Sequence, residues 1–261
     1  MRRSRPLRCR DDWRTVNGLR TYAAVAGSGP PIVLLPGLGC SHHYFRALQD
    51  ELAQDFTVWA YDPPGHGYTR TRPGTFLRLE ELTDHLAAWI GATHLEGTVI
   101  FGHSMGGEIG IDLAARYPGR VSKLVLCAPT GIPESPSVPG QLLALLRDGP
   151  RERPMFLLRA LRAYLHCGSA RILALARNQR HHRTGPLLPR VRIPVLALAG
   201  GRDPVVRPRT IETLCAGIPH ACPVRIEAGT HALHDSHTLE VAGLMRAWLL
   251  EDRVPVASYS G

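Results

Sequence analysis

Lysine is all but missing. Of the 31 basic side chains in 261 residues only Lys123 is a lysine, so the formal net charge of +9 is arginine charge. That skew fits a GC-rich coding genome better than a nucleic-acid footprint, for which no accompanying motif is present, and no nucleic-acid partner is expected. Long hydrophobic runs are missing too: no stretch of about 18 apolar residues exists, so no membrane span is expected. The basic start MRRSRPLRCR continues as DDWRTVNG rather than as an apolar stretch of roughly 7 to 15 residues, which speaks against a secretory signal, and the chain reads as cytoplasmic. The six cysteines, at positions 9, 40, 127, 167, 215 and 222, lack C-x-x-C spacing, and one sits in the apolar LVLCAP. Buried free thiols explain them, so neither a disulfide framework nor a zinc site is expected.

With 44% hydrophobic and only 20% charged residues, the chain is too apolar for disorder and long enough for one large α/β domain with an insertion. Its positive charge is unevenly placed. Residues 131–192 hold eleven arginines against Glu134, Asp148 and Glu152, and the first 20 residues hold seven against two aspartates.

Short apolar runs bounded by glycine and proline recur at PPIVLLPG (30–37), FTVWAYDPPG (56–65), GTVIFG (97–102), SKLVLCAP (122–129), IPVLALAGG (193–201) and CPVRIEAG (222–229), and read as buried strands. Helical patterns alternate with them at 44–53, 79–92, 106–119, 208–217 and 237–251. That alternation predicts a mostly parallel sheet covered on both faces, with ligands at the carboxyl ends of the strands. It fails once, between 131 and 189, where three helix-like pieces (PGQLLALLRD, MFLLRALRAYLHC, SARILALARNQRHH) follow one another without a strand. This segment is expected to be an inserted helical lid within a domain spanning 15–261. The tail VPVASYSG reads as loosely held.

G-x-S-x-G occurs once in that setting, as Gly102-His103-Ser104-Met105-Gly106, directly after a strand and directly before a helix. A strand-to-helix turn this tight forces the serine into strained φ/ψ, and side chains two positions to either side would collide. The turn lifts the Ser104 hydroxyl to the sheet's end, at a helix N-terminus that favours developing negative charge. A serine hydroxyl needs a base, and the base needs a third group to hold it. Downstream, Asp203 lies in the loop after PVLALAG, and His231 lies in the loop after the next strand. The order Ser, Asp, His is the one this architecture uses.

On GHSMGG (102–107), GGRDPVV (200–206), AGTHAL (228–233), YDPPGHGYT (61–69) and LLPGLG (34–39), the chain resembles the α/β-hydrolase family from about Thr15 to Glu251. The resemblance implies the α/β-hydrolase fold and acyl transfer without a cofactor or metal, on a small-molecule acyl substrate. It implies Ser104 as nucleophile, His231 as base, Asp203 as its orienter, and the backbone N–H groups of Leu38 and Met105 as oxyanion donors. Many relatives carry His-Gly where this chain has Pro36-Gly37; the donors are main-chain, so the departure touches the loop rather than the donors. Glu134 is the family's other site for the acid.

Each residue also has a blander reading. The blander reading of Ser104 is a turn serine, and that of Asp203 an Asp-Pro turn or a cap before PRTIETL; the strand-turn-helix setting favours the nucleophile. The crowd His231, His234, Asp235, His237 suggests metal, but H-x-x-H-D-x-H matches no ligand spacing, and His234 and His237 are expected at the surface of a helix start. His66 and His103 read as packing residues, and Glu108 as non-catalytic. The lid arginines read as a solvated face, with an anionic group on the substrate as the alternative. The stripe Phe156, Leu157, Leu161, Tyr164 and Leu165 is expected to pack over the site as an acyl pocket. Serine rather than aspartate at the nucleophile argues against dehalogenase or epoxide-hydrolase chemistry. An ester-cleaving serine hydrolase is the primary expectation, with thioesters or lactones close by. Carbon–carbon bond hydrolysis, cofactor-free peroxidase activity and a triad-bearing ligand sensor are the alternatives.

Overall fold

The computed structural model describes residues 9–132, 138–179 and 181–251. Strands β1 (Arg10–Val16), β2 (Leu19–Ala26) and β3 (Pro31–Leu35) lead into α1 (Arg46–Leu52) and β4 (Thr57–Tyr61). Then follow α2 (Leu79–Ala92), β5 (Thr98–His103), α3 (Met105–Arg116) and β6 (Val121–Cys127). Three helices come next, with no strand among the described residues of this stretch: α4 (Val138–Asp148), α5 (Pro154–Cys167) and α6 (Ser169–Gln179). The chain returns to the sheet with β7 (Val195–Gly200), α7 (Pro208–Gly217) and β8 (Ala221–Ile226), and closes with α8 (Leu233–Ser236) and α9 (Thr238–Leu250).

The eight strands form one sheet in the order β1-β2-β4-β3-β5-β6-β7-β8. Strands β3 to β8 are mutually parallel, while β2 pairs antiparallel with both β1 and β4. The apolar runs are strands because both their faces are buried. Val33 and Leu35 point into one core with Leu82 and Trp89 of α2 and Ile109 of α3, while Ile32 and Leu34 point into the other with Leu48 of α1 and Met245 and Trp248 of α9. Each α helix therefore needs only one apolar stripe.

The sheet begins earlier than the boundary expected at residue 15, because β1 and β2 form a hairpin from Arg10 onward, closed at Asn17-Gly18, both with positive φ (49° and 75°). An Asn-Gly pair suits such a turn. Strand order reverses around β3: β4 lies to one side and β5 to the other. The crevice beyond the carboxyl ends at such a reversal is where open α/β sheets bind ligands. Glu134 and the tail beyond 251 lie outside the described residues.

Candidate active site

Ser104 sits between β5 and α3 at φ 52°, ψ −119°. That left-handed conformation costs about 1–3 kcal/mol for a residue with a Cβ. It is held by the Ser104 N–H donating to the Cys127 carbonyl at 3.1 Å, and by the Ser104 carbonyl accepting from the Gly107 N–H at 2.9 Å. A Cβ on Gly102 would collide with the Gly106 carbonyl oxygen, and one on Gly106 with the Leu35 carbonyl oxygen. The two glycines of the motif are thus dictated by how closely α3 approaches β5 and β3.

The structure brings the three side chains remote in sequence together. Ser104 Oγ lies 3.2 Å from His231 Nε2, and His231 Nδ1 lies 2.9 Å from Asp203 Oδ2. A carboxylate only accepts, so Nδ1 carries the proton and Nε2 is left with its lone pair toward the serine hydroxyl. Asp203 uses both its oxygens: Oδ2 lies against the imidazole, while Oδ1 accepts from the N–H groups of Val205 and Val206 at 2.7 and 3.0 Å. Burial pulls His231 toward its neutral form, but the charge and hydrogen bond of Asp203, helped by Asp148 and Glu152, outweigh it. The imidazole pKa stands above the usual 6.5.

The Leu38 and Met105 N–H groups meet no acceptor among the described residues. Met105 opens α3, where the first turn's N–H groups are left free by helix geometry. The neighbouring Gly37 N–H does have a partner, the Tyr44 hydroxyl at 2.8 Å, which in turn lies 2.7 Å from His103 Nδ1. Burial drives the His103 pKa down to about 3, so the ring is neutral. Its Nε2–H donates to the His231 carbonyl at 3.0 Å, and its Nδ1 accepts from Tyr44. The packing role expected of His103 is thus accompanied by a hydrogen-bond line joining the Gly37-Leu38 loop to the His231 loop. Tyr44 carries no sequence signal for this, because the contact spans unrelated loops.

His234 corrects an expectation. It is fully buried rather than on the surface, its ring packed edge-on or tilted against Tyr44, Phe45, His103 and Phe156, and burial holds it well below the usual histidine pKa. His234 lies on the inner side of the short helix α8, against Phe156 of the insertion helix α5.

A cavity of about 640 Å³ opens over Ser104 and His231. Its wall is chiefly apolar and comes largely from the insertion: Phe156, Leu157, Leu161 and Tyr164 of α5 all face it, with Ile172 and Ala176 of α6. Leu165 of the expected stripe does not; it is 73% exposed. Among the described residues no arginine or lysine lines this cavity, whereas Asp148 and Glu152 do. Arg151, Arg153 and Arg202 gather instead at a separate cleft of about 270 Å³.

Glu108 lies one turn beyond the serine, fully buried. Its Oε1 accepts from Thr130 Oγ1 and from Gln179 Nε2 of α6, both at 2.6 Å, while Oε2 has no hydrogen-bond partner and faces His182 Nδ1 at 3.9 Å. Burial pushes its pKa up to about 7. A folded-state pKa above the unfolded value means that stability present at low pH is lost as pH rises from about 4.5 through about 7, on the order of 3 kcal/mol in all. Glu108→Gln removes that titration and keeps an acceptor for Thr130. Urea denaturation at pH 5 and pH 8 is expected to show a larger loss for the wild type than for the variant; equal losses would contradict the account.

The chain belongs to the alpha/beta hydrolase fold family, whose profile matches residues 30–163. It is 29% identical to a pimeloyl-acyl-carrier protein methyl ester esterase of Neisseria meningitidis, over 82% of this chain and 91% of that one. A 2-hydroxy-6-oxo-2,4-heptadienoate hydrolase of Pseudomonas putida is 32% identical over 118 residues, 44% of this chain and 43% of that one. An enol-lactonase from Burkholderia xenovorans superposes with a TM-score of 0.79 over 91% of this chain and 99% of that one, at 22% identity. The chain spans less than half the length of the curated relatives that match it at above 30% identity. Among the described residues no helix is long and apolar enough to cross a membrane.

Proposed function

We propose that this protein is a serine hydrolase that cleaves carboxylic esters of uncharged, apolar acyl groups through an acyl-enzyme on Ser104. His231 takes the hydroxyl proton, and Ser104 Oγ attacks the acyl carbonyl. The N–H groups of Leu38 and Met105 stabilise the oxyanion. His231 then protonates the leaving alcohol, and water attacks the acyl-enzyme by the same route in reverse. Asp203 orients the imidazole and stabilises its cation without taking the proton. The helices α4 to α6 act as the lid, lending the acyl group its apolar wall.

The observation that carries this reading is the line Asp203 Oδ2, His231, Ser104 Oγ, with 2.9 and 3.2 Å links, opening on an apolar cavity. Likeness to an ester-cleaving relative supports it. Thioesters and lactones present the same carbonyl and belong to the same proposal. A cytoplasmic location is part of it too, supported by the buried free thiols of Cys40, Cys127 and Cys167. The likeness to a heptadienoate hydrolase favours a second reading, carbon–carbon bond hydrolysis on the same residues. Against it stand the two carboxylates in the cavity wall, which repel a carboxylate-bearing substrate.

A series of p-nitrophenyl esters tests the choice. Each buried methylene contributes about 0.8 kcal/mol, so kcat/KM should rise about fourfold per carbon from acetate upward until the cavity is full. Ester inertness with cleavage of a vinylogous diketone acid would move the assignment to the second reading. Tight ligand binding with no turnover of either would make the protein a sensor.

A further inference from the structure

We propose that Asp148, carried by the inserted helical segment, is a positioning residue for His231, and that Glu152 assists it, so that the insertion holds the imidazole loop in its working position. This rests on the reading of His231 as the base.

Asp148 is the last residue of α4 and is 1% exposed, far from the water a carboxylate prefers. Its Oδ2 accepts from the His231 N–H at 3.0 Å. Glu152, in the turn that follows, accepts from the next N–H of the same loop, that of Ala232, at 3.3 Å. Two successive N–H groups of the histidine loop are therefore bonded to two carboxylates from one short stretch of the insertion, and both carboxylates line the cavity. Burying an anion is costly unless it is paired. Here the partners are few: Arg151 stands 3.6 Å from Asp148 Oδ1, and Glu152 Oε2 has no hydrogen-bond partner. Satisfying two N–H groups alone would need only neutral acceptors such as Asn and Gln. A negative charge adds something a neutral acceptor does not, because the imidazole becomes a cation when it takes the Ser104 proton.

The groups facing His231 can be counted by sign. Asp203, Asp148 and Glu152 favour its protonated form. His103, whose ring centroid is 5.0 Å away, and His234 are both held neutral by burial and bring no opposing charge. Arg151 partly offsets Asp148. Burial of the ring itself opposes protonation. Opening of the insertion would withdraw the two carboxylates together, so the base would be held, and its cation supported, only while the cavity is closed.

Two substitutions separate placement from charge. Asp148→Asn keeps an acceptor for the His231 N–H and removes the charge; Asp148→Ala removes both. The readouts are kcat, KM and the acid limb of the ester pH profile, with the His231 titration followed independently by NMR of protein labelled with ¹³C-histidine. The titration midpoint is expected to move down by about half a unit or more in Asp148→Asn, and also, by less, in Glu152→Gln. Asp148→Ala should lower kcat at least about tenfold with KM little changed, and Asp148→Asn should recover part of that loss. A His231 midpoint that stays put in Asp148→Asn and Glu152→Gln, or kcat equal to wild type in Asp148→Ala, would overturn the proposal. Because NMR reads the imidazole without turnover, a protein inert toward esters would defeat the functional reading while still deciding whether Asp148 and Glu152 act on His231.

Discussion

Replacing Ser104 with alanine is expected to lower kcat on the best ester by about 10⁶, leaving only the slow reaction that binding and the oxyanion donors support with water. At about 1.4 kcal/mol per tenfold, this is some 8 kcal/mol of transition-state stabilisation, about what loss of His231 should cost and more than loss of Asp203 should. The fold should tolerate the change. Alanine carries the same Cβ into the φ 52° turn, and the hydrogen bonds that hold the turn, from the Ser104 N–H to Cys127 and from the Gly107 and Thr130 N–H groups to the Ser104 carbonyl, are main-chain. Steady-state kinetics beside a thermal melt checks both halves. Retained activity would show that the nucleophile lies elsewhere, while lost activity with an altered melt would leave the assignment to labelling.

Asp203→Asn should cost about 10⁴ in kcat. The loss depends on which way the new amide faces. The N–H groups of Val205 and Val206 claim the oxygen at the Oδ1 position, so the amide NH₂ is turned toward His231 Nδ1, where it can only donate. The imidazole must then move its proton to Nε2, facing Ser104, and no base remains. Because the cap on the Val205-Val206 turn survives in Asn but not in Ala, Asp203→Ala should in addition lose about 1 kcal/mol of stability. The wild-type pH profile carries the sign of the same interaction. A base whose pKa is raised above 6.5 works above that pKa and is silenced as pH falls through it, so the acid limb should lie above the usual histidine range. Kinetics of the two variants from pH 5 to 9 checks the prediction; a kcat within tenfold of wild type in Asp203→Asn would contradict it.

The parallel strands β3 to β8 are legible in the sequence because burial on both faces writes them as continuous apolar runs between glycines and prolines. The hairpin β1–β2 is not so written: β1 is exposed along most of its length, and only the Asn17-Gly18 pair marks it. Ser104, Asp203 and His231 could be chosen because each stands at a strand's carboxyl end in a local motif. Tyr44, Asp148 and Glu152 have no such mark. Their bonds to His103, His231 and Ala232 join residues 59, 83 and 80 positions apart, so only the folded backbone brings them into register. His234 shows the converse failure, since a polar residue near a helix start reads as surface until the aromatic ring cluster above it is known. Apolar periodicity alone puts Leu165 on the cavity side, where α5 in fact turns it to solvent.

The most direct test of the central claim is covalent. Intact protein treated with a fluorophosphonate should gain one adduct, and peptide mass spectrometry should place it on Ser104, with no adduct in Ser104→Ala and labelling slowed several orders of magnitude in His231→Gln. An adduct on another residue of the active protein, or labelling of Ser104 at an undiminished rate without His231, would contradict it.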